Sequence, residues 1–253
     1  MHALMDLPGH PAVAVAVNLV IALISYKAKL VDKSGVIAGL IAGILIFIGF
    51  GPEGFVLLFT FFVVGSVASK FKISAKKKLG VAQKKSGQRG AAHVLANVSV
   101  AAALAAIAIL SETEDRYLYL IGFIGSLATA LGDTISTELG QIYGKKTYSL
   151  ITLKRVRTGT EGAVSLEGTL LGFGASIALA VLAYFFHPEF AFPNSLHLGL
   201  KGVVVISLAA MMANFIESLI GGILQQFDLT GPEMVMNFLN TLVGAVLAIV
   251  WFS

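Results

Sequence analysis

GDTISTELG, residues 132–140, and SLEGT, residues 165–169, each place a carboxylate inside a segment that is otherwise apolar enough to span a membrane. The two carboxylates are those of Asp133 and Glu167. A charged side chain at membrane depth is costly and by default indicates a functional site. This pair of segments therefore predicts a membrane protein that performs chemistry on charged ligands.

A basic, glycine-containing loop lies between the two segments. It contains Lys145, Lys146, Lys154, Arg155 and Arg157, followed by the turn Gly159-Thr160-Glu161-Gly162. Because the turn precedes a predicted helix, we expect its backbone amides to lie at the positive end of a helix dipole, where phosphate binds readily. The loop is thus a candidate phosphate-binding element.

The composition places the whole chain in the membrane class. Of 253 residues, 57% are hydrophobic and 13% are charged, whereas soluble domains carry about 25% charged residues. The absence of cysteine excludes disulfides and thiolate metal sites. We expect one transmembrane domain over residues 1–253, without a cleaved signal peptide, and no nucleic-acid partner.

Apolar segments of about 20 residues predict an all-α, polytopic helical bundle of about seven to eight transmembrane helices. The candidate spans are 12–30, 35–51, 54–70, 91–110, 117–139, 163–186, 200–222 and 234–252.

Basic residues set the predicted orientation. They cluster at residues 27–33 and in the loops at about 70–90 and 141–162, which lie on one side if there are eight spans. This side is expected to be the cytosol, and both termini are expected to face away from it. The lysines of the loop 70–90 could serve only to orient the protein in the membrane. The alternative is that Lys85 and Arg89 attract a phosphate group to the site.

Polar residues gather in the cytosolic halves of the spans and predict a polar cavity that faces the cytosol. Helical spacing aligns them in stripes. The Ser, Gly and Asn residues could instead hold helices together. His93 fits a hydrogen-bonding partner better than a metal ligand, because a zinc site would need several histidines. The stripes are Arg89, His93 and Asn97; Asp133, Ser136 and Thr137; Asn214, Glu217 and Ser218; and Asn237, Asn240 and Thr241.

Several carboxylates at one depth suit Mg²⁺, which takes oxygen ligands and keeps waters and substrate phosphates. Such a site fits metal-assisted phosphoryl or nucleotidyl transfer. The candidate ligands are Asp133, Glu138, Glu167 and Glu217.

The motifs resemble those of CTP-dependent membrane lipid kinases, the phytol and dolichol kinases, and a similar Glu-Gly element occurs in CDP-diacylglycerol synthases. The closer resemblance is to the integral-membrane family that includes plant and cyanobacterial phytyl-phosphate kinase. It is carried by Asp32-Lys33-Ser34-Gly35, by residues 89–97, 133–140 and 159–162, and by Asn214-Phe215-Ile216-Glu217-Ser218. One departure is that Ala163-Val164-Ser165 stands where phytol kinases have a Lys-Ser/Thr pair.

This resemblance implies transfer of a phosphoryl group from CTP, or another nucleoside triphosphate, to an isoprenyl monophosphate. Asp133 with Glu138 or Glu217 would hold Mg²⁺, and Arg89 and Lys85 would hold the acceptor phosphate. The polar shell would include His93, Asn97, Ser165, Asn214, Asn237 and Asn240, and the nucleotide phosphates would contact Lys145, Lys146, Arg155, Arg157, Gly159, Thr160 and Gly162.

Three alternatives stay open at this point. The chain could be a polyprenol kinase or a cytidylyltransferase on the same scaffold. It could transport an anionic lipid or a phosphorylated solute. It could also be a structural or assembly protein.

Overall fold

Helices make up about four-fifths of the described residues. The computed structural model describes residues 11–82, 88–111, 116–186, 199–227, 229 and 233–253. Three short strands, β1 (Thr147–Ser149), β2 (Arg155–Val156) and β3 (Ala163–Ser165), occur between the fifth and sixth helices. The helices are α1 (Pro11–Lys27), α2 (Lys33–Lys70), α3 (Ile73–Leu79), α4 (Ala91–Leu110), α5 (Arg116–Tyr143), α6 (Leu166–Phe186), α7 (Gly199–Gln226) and α8 (Glu233–Phe252).

Six of these helices, α2 and α4 to α8, are long and apolar enough to cross a membrane, and α1 is a shorter apolar helix. The predicted polytopic helical membrane bundle is confirmed.

The α2 helix reverses direction in its middle. Gly51 has φ 72° and ψ −174°, outside the helical region, and Pro52 follows it. Glycine adopts a positive φ without the Cβ clash that other residues suffer. Gly35 and Gly65 both lie against Arg89, although a straight helix would separate them by about 45 Å. The halves of α2 therefore run antiparallel and form two passes, as predicted for spans 35–51 and 54–70.

The α5 helix is the centre of the bundle, and it packs against α2, α4, α6, α7 and α8. In its first half, Ile121, Phe123 and Leu127 are fully buried, so apolar side chains seal that end of the bundle. Further along, a Cβ at Gly244 of α8 would overlap the side chain of Thr129. Small residues at such crossings let transmembrane helices approach closely.

A small antiparallel sheet follows α5, which the sequence analysis did not predict. Its strand order is β2-β1-β3, and Thr147 pairs with Val156 on one side and with Ser165 on the other. The predicted span 163–186 therefore begins with a strand, and its helix starts at Leu166. Strands this short are too brief for an alternating pattern to stand out in the sequence.

The short helix α3 lies in the predicted basic loop 70–90 and carries a buried lysine. Lys76 Nζ donates to Glu138 Oε2 at 2.5 Å and to the carbonyl of Ala68 at 2.8 Å. Buried charges are tolerated when they are paired and hydrogen-bonded or bind a metal. The Lys76–Glu138 pair thus fastens α3 to α5. Lys76 therefore has a structural role beyond any contribution to the orientation of the protein in the membrane.

The fold-back of α2 predicts the sidedness of three single-cysteine variants. The natural chain contains no cysteine, so it serves as the unlabelled control. We expect Lys33→Cys and Lys78→Cys to react with a membrane-impermeant maleimide from one side of the membrane, and Glu53→Cys from the opposite side. Labelling of all three from one side would contradict the fold-back.

The buried ion pair predicts a non-additive effect on stability. Lys76→Met should destabilise the protein by about 3–5 kcal/mol, because it leaves a buried carboxylate without its cation. Lys76→Met combined with Glu138→Met should recover most of this loss, since no charge remains buried. Thermal unfolding in detergent measures both, with Lys77→Met as the exposed control. Additive losses in the double variant would show that the pair is not coupled.

Candidate functional site

A polar cavity of about 440 Å³ lies where α4, α5, α6, α7, α8 and the loop after α5 converge. Its walls carry hydroxyl, amide and carboxyl groups within a bundle that is otherwise apolar. Ten of the predicted site residues line it: His93, Asp133, Glu138, Gly159, Thr160, Gly162, Ser165, Asn214, Glu217 and Asn237.

Three carboxylates from three different helices share this cavity. Asp133 of α5, Glu217 of α7 and Glu233 of α8 all line it and interact electrostatically with one another. Asp133 lies about 15 Å before the end of α5, at 1.5 Å per residue. Like charges at this depth repel one another, so the arrangement favours the binding of cations.

Asn240 holds α7 and α8 together behind this cavity wall. Its Nδ2 donates to Asn214 Oδ1 at 2.9 Å and to Glu217 Oε2 at 2.5 Å. The side chain of Asn240 is buried, and it does not line the cavity. Asn240 therefore orients the carboxylate of Glu217, whereas Asn237 contacts the cavity directly.

The two carboxylate oxygens of Glu138 differ in their hydrogen bonds. Oε2 accepts from Lys76, while Oε1 is buried without a hydrogen-bond partner among the described residues. A buried polar atom without a partner is costly and indicates a missing ligand or water. Glu138 therefore retains the capacity to bind a further cation at the edge of the cavity.

The carboxylates fit Mg²⁺ through one or two protein ligands. Among the described residues, no group of three or more His, Asp or Glu side chains forms a ready-made metal site. Mg²⁺ commonly needs only one or two carboxylates, because waters and substrate phosphates complete its coordination. Asp133 and Glu217 match this requirement, and Glu138 Oε1 offers another oxygen nearby.

The sequence predicts that the turn Gly159–Gly162 lies at the start of α6. In the structure it lies against α7 instead. A Cβ at Gly162 would overlap the backbone of Ser218 and Gly222, and strand β3 separates the turn from α6. Gly159 and Gly162 have φ of 88° and 66°, which glycine adopts most easily. The turn still lines the cavity, because the sheet carries it back over the bundle.

The predicted nucleotide-binding cations do not line the cavity. Lys145, Lys146, Arg155 and Arg157 are exposed on the loop around the sheet. Lys85 lies outside the described residues. Among the described residues, the carboxyl and carboxylate side chains Asp133, Glu138, Glu161, Glu217 and Glu233 line the cavity, and no lysine or arginine does.

Glu167 also lies outside the cavity wall. Its Oε2 accepts a hydrogen bond from the backbone N–H of Lys145 at 3.3 Å. The carboxylate therefore fastens the loop after α5. The structure does not bring Glu167 to the other predicted metal ligands.

Arg89 is held between the beginnings of α2 and α4. Its backbone N–H donates to the carbonyl of Leu30, and its carbonyl accepts from the N–H of Asp32. Asp32 caps α2, and Ser34 Oγ accepts the first N–H of α4 at 3.0 Å. The segment Asp32-Lys33-Ser34-Gly35, one of those that carry the family resemblance, therefore positions Arg89.

The guanidinium of Arg89 is buried beside a second cavity, which Asn97 and His93 also line. Burial lowers the pKa of Arg89 to about 10, and the Glu138 carboxylate opposes this shift. The side chain is therefore cationic at neutral pH. The Nε2 of His93 is buried and has no hydrogen-bond partner within the described ranges.

Sequence reasoning missed Lys76, Gln141, Glu161 and Glu233 as parts of the site. Glu233 precedes the predicted eighth span by one residue, so a span starting earlier would have included it. Glu161 stood in a quoted turn but was assigned no role. Nothing in the run Lys76-Lys77-Lys78 distinguishes its buried member.

Comparisons with known proteins match nearly the whole chain. Residues 16–249 match the family described as integral membrane protein DUF92. An uncharacterized membrane protein of Synechocystis sp. is 38% identical over 91% of this chain and 86% of its own. The chloroplastic protein VTE6 of Arabidopsis thaliana is 36% identical over 93% of this chain and 70% of its own.

An archaeal relative extends the similarity. An uncharacterized membrane protein of Methanocaldococcus jannaschii is 28% identical over 94% of this chain and 92% of its own. No solved structure matches the chain. The family match includes every described residue of the polar cavity, and the family resemblance inferred from the motifs is confirmed. The chain belongs to the integral-membrane family DUF92.

Proposed function

We propose that this protein transfers the γ-phosphoryl group of a nucleoside triphosphate to an isoprenyl monophosphate, with Mg²⁺ bound in the polar cavity on the cytosolic side of the membrane. An oxygen of the acceptor phosphate forms a bond to the γ-phosphorus. The bond from that phosphorus to the β,γ-bridging oxygen breaks, and a nucleoside diphosphate leaves. The resemblance to phytyl-phosphate kinase supports CTP as donor and phytyl monophosphate, or a related lipid, as acceptor.

One observation carries this proposal: among the described residues, the acidic side chains line the cavity without a lysine or arginine beside them, at a depth where charge is costly. Of these carboxylates, Glu138 forms an ion pair with Lys76. An anionic nucleotide can enter such a cavity only together with cations. A metal–nucleotide complex meets this condition, because the ion neutralises both the carboxylates and the phosphates.

Residues of the chain would position the reactants. Asp133 and Glu217 would hold the ion from opposite helices, with Asn240 fixing the carboxylate of Glu217. The backbone amides of the Gly159–Gly162 turn would bind phosphate oxygens, since turns with positive φ make anion-binding concavities. A phosphate acceptor is already anionic near pH 7, so the site needs no strong general base.

The packing of α5 supports an enzyme over a transporter. A transporter needs polar groups on both sides of the membrane midplane. In the described structure, fully buried apolar side chains of α5, among them Ile121, Phe123 and Leu127, occupy the end of the bundle away from the cavity. The cavity therefore opens toward one side.

Label transfer tests the proposal. Purified protein, phytyl monophosphate, Mg²⁺ and CTP labelled at the γ-phosphate should give a labelled lipid diphosphate, and chelation of the metal should stop the reaction. CTP labelled at the α-phosphate should leave the lipid unlabelled. Label from the α-phosphate in the lipid would identify a cytidylyltransferase, and phosphorylation of phytol alone would identify an alcohol kinase. Absence of a diphosphate product with each of the four nucleotides would defeat the proposal.

Two isosteric substitutions test the carboxylates. Asp133→Asn and Glu217→Gln should each lower kcat by about a hundredfold or more, because both remove charge that holds the metal–phosphate complex. Their thermal stability and gel-filtration profile should stay close to those of the natural protein. The matched control is Glu53→Gln, at the turn of α2 on the other side of the bundle, which should be fully active. Full activity in the Asp133 and Glu217 variants would favour a structural role.

A further inference from the structure

We propose that the apolar cavity between α1, α2 and α4 binds the part of the isoprenoid chain next to the phosphate, and that Arg89 at this cavity binds the phosphate itself. This inference rests on the proposed function, and it names where the acceptor lipid lies.

The cavity has the composition that a lipid chain requires. It measures about 90 Å³ and is bounded by α1, both halves of α2 and α4. Apolar side chains such as Leu40, Phe59 and Phe62 form most of its lining. Its volume corresponds to about three water molecules, so it accommodates the first part of the chain, and the remainder continues along the membrane-facing surface of the helices.

Arg89 supplies an anion-binding group at this cavity. The side chain is 3% exposed, and its Nε and Nη2 have no hydrogen-bond partner among the described residues. The ring of Phe61 lies 5.3 Å from the guanidinium carbon. Buried donors without acceptors are costly, and a phosphate can accept two N–H groups of arginine at once. The cavity therefore combines an apolar lining with an unsatisfied cation.

His93 connects this cavity to the polar one. Its side chain lines both of them, and its Nε2 is also buried without a partner in the described ranges. Arg89 precedes α4 and His93 lies in its first turn, and both residues line the apolar cavity, so both can contact the same ligand. A phosphate bound by Arg89 would thus lie at the boundary with the carboxylate cavity, where the nucleotide is proposed to bind.

A third cavity fits the acceptor lipid less well. It measures about 40 Å³, between α5, α6 and α7, and its lining includes Phe173, Met211 and Phe215. Among the described residues, no lysine or arginine lines it. It could receive part of a lipid chain but offers no cation for the phosphate.

Photo-crosslinking locates the chain directly. The probe is an isoprenyl monophosphate with a diazirine in the unit next to the phosphate, added to the full-length protein without nucleotide. We expect peptides of α1, α2 and α4 to carry the label, around Leu40 and Phe59. Labelling around Phe173 and Met211, or labelling that excess phytyl monophosphate does not displace, would overturn the inference.

A cavity-filling variant provides a matched test. Gly39 lines the cavity, and a Cβ at this position would have no atom within 4 Å, so Gly39→Leu should fold normally. It should reduce specific labelling about tenfold or more, because it occupies the space of the chain. Gly174→Leu is the control, since Gly174 is equally open but lies on α6. Equal labelling in the two variants would refute the assignment, and Ala22→Leu on the opposite wall replaces Gly39→Leu if that variant does not fold.

The outcomes distinguish this inference from the proposed function. Crosslinking needs neither nucleotide nor turnover. Labelling of α1, α2 and α4 without phosphoryl transfer would support this lipid site and refute the kinase. Phosphoryl transfer with labelling at α6 and α7 would support the kinase and refute this site.

Discussion

The burial of charge is the constraint on which the rest of this structure depends. A carboxylate in an apolar bundle must find a cation, hydrogen-bond donors or water. The chain meets this requirement in two ways. Glu138 pairs with the buried Lys76, whereas Asp133, Glu217 and Glu233 line a shared cavity and interact with one another. The protein itself supplies the cation in the first arrangement, although Glu138 Oε1 has no hydrogen-bond partner among the described residues. The second arrangement suits a ligand that brings positive charge.

The α5 helix separates the apolar half of the bundle from the polar half. Its first half is buried among apolar neighbours, and its second half presents Asp133, Thr137 and Glu138 to the cavity. A single helix therefore seals one side of the membrane and positions ligands toward the other. The Lys76–Glu138 pair then ties the connection between α2 and α4 to the same helix. This connection and the loop that follows α5 are thus both attached to α5.

Much of this organisation could be predicted from the sequence because membrane depth and helical period are both readable in one dimension. Asn214 and Glu217 lie three residues apart, and Asn237 and Asn240 repeat this spacing, so their approximate convergence followed from the predicted spans. The break at Gly51-Pro52 separated two passes in the same way. These features depend on local pattern and on the thickness of the membrane.

The remainder depends on contacts that have no local signal. The burial of Lys76 results from its distant partner Glu138, so it could not be distinguished from the exposed Lys77. Glu167 accepts the N–H of Lys145 because the short sheet brings the two together, and that sheet was too short to predict. The exposed positions of Lys145 and Arg155 follow from the same sheet, which turns the loop so that its glycines, and not its cations, line the cavity.

A crystal structure with Mn²⁺ and the non-hydrolysable analogue β,γ-methylene-CTP tests the central claim most directly. The account predicts an anomalous peak for Mn²⁺ between Asp133 and Glu217, with the nucleotide phosphates against the Gly159–Gly162 turn. An ion and nucleotide bound instead on the exposed basic loop around Lys145 and Arg155, with the carboxylate cavity holding neither, would contradict it.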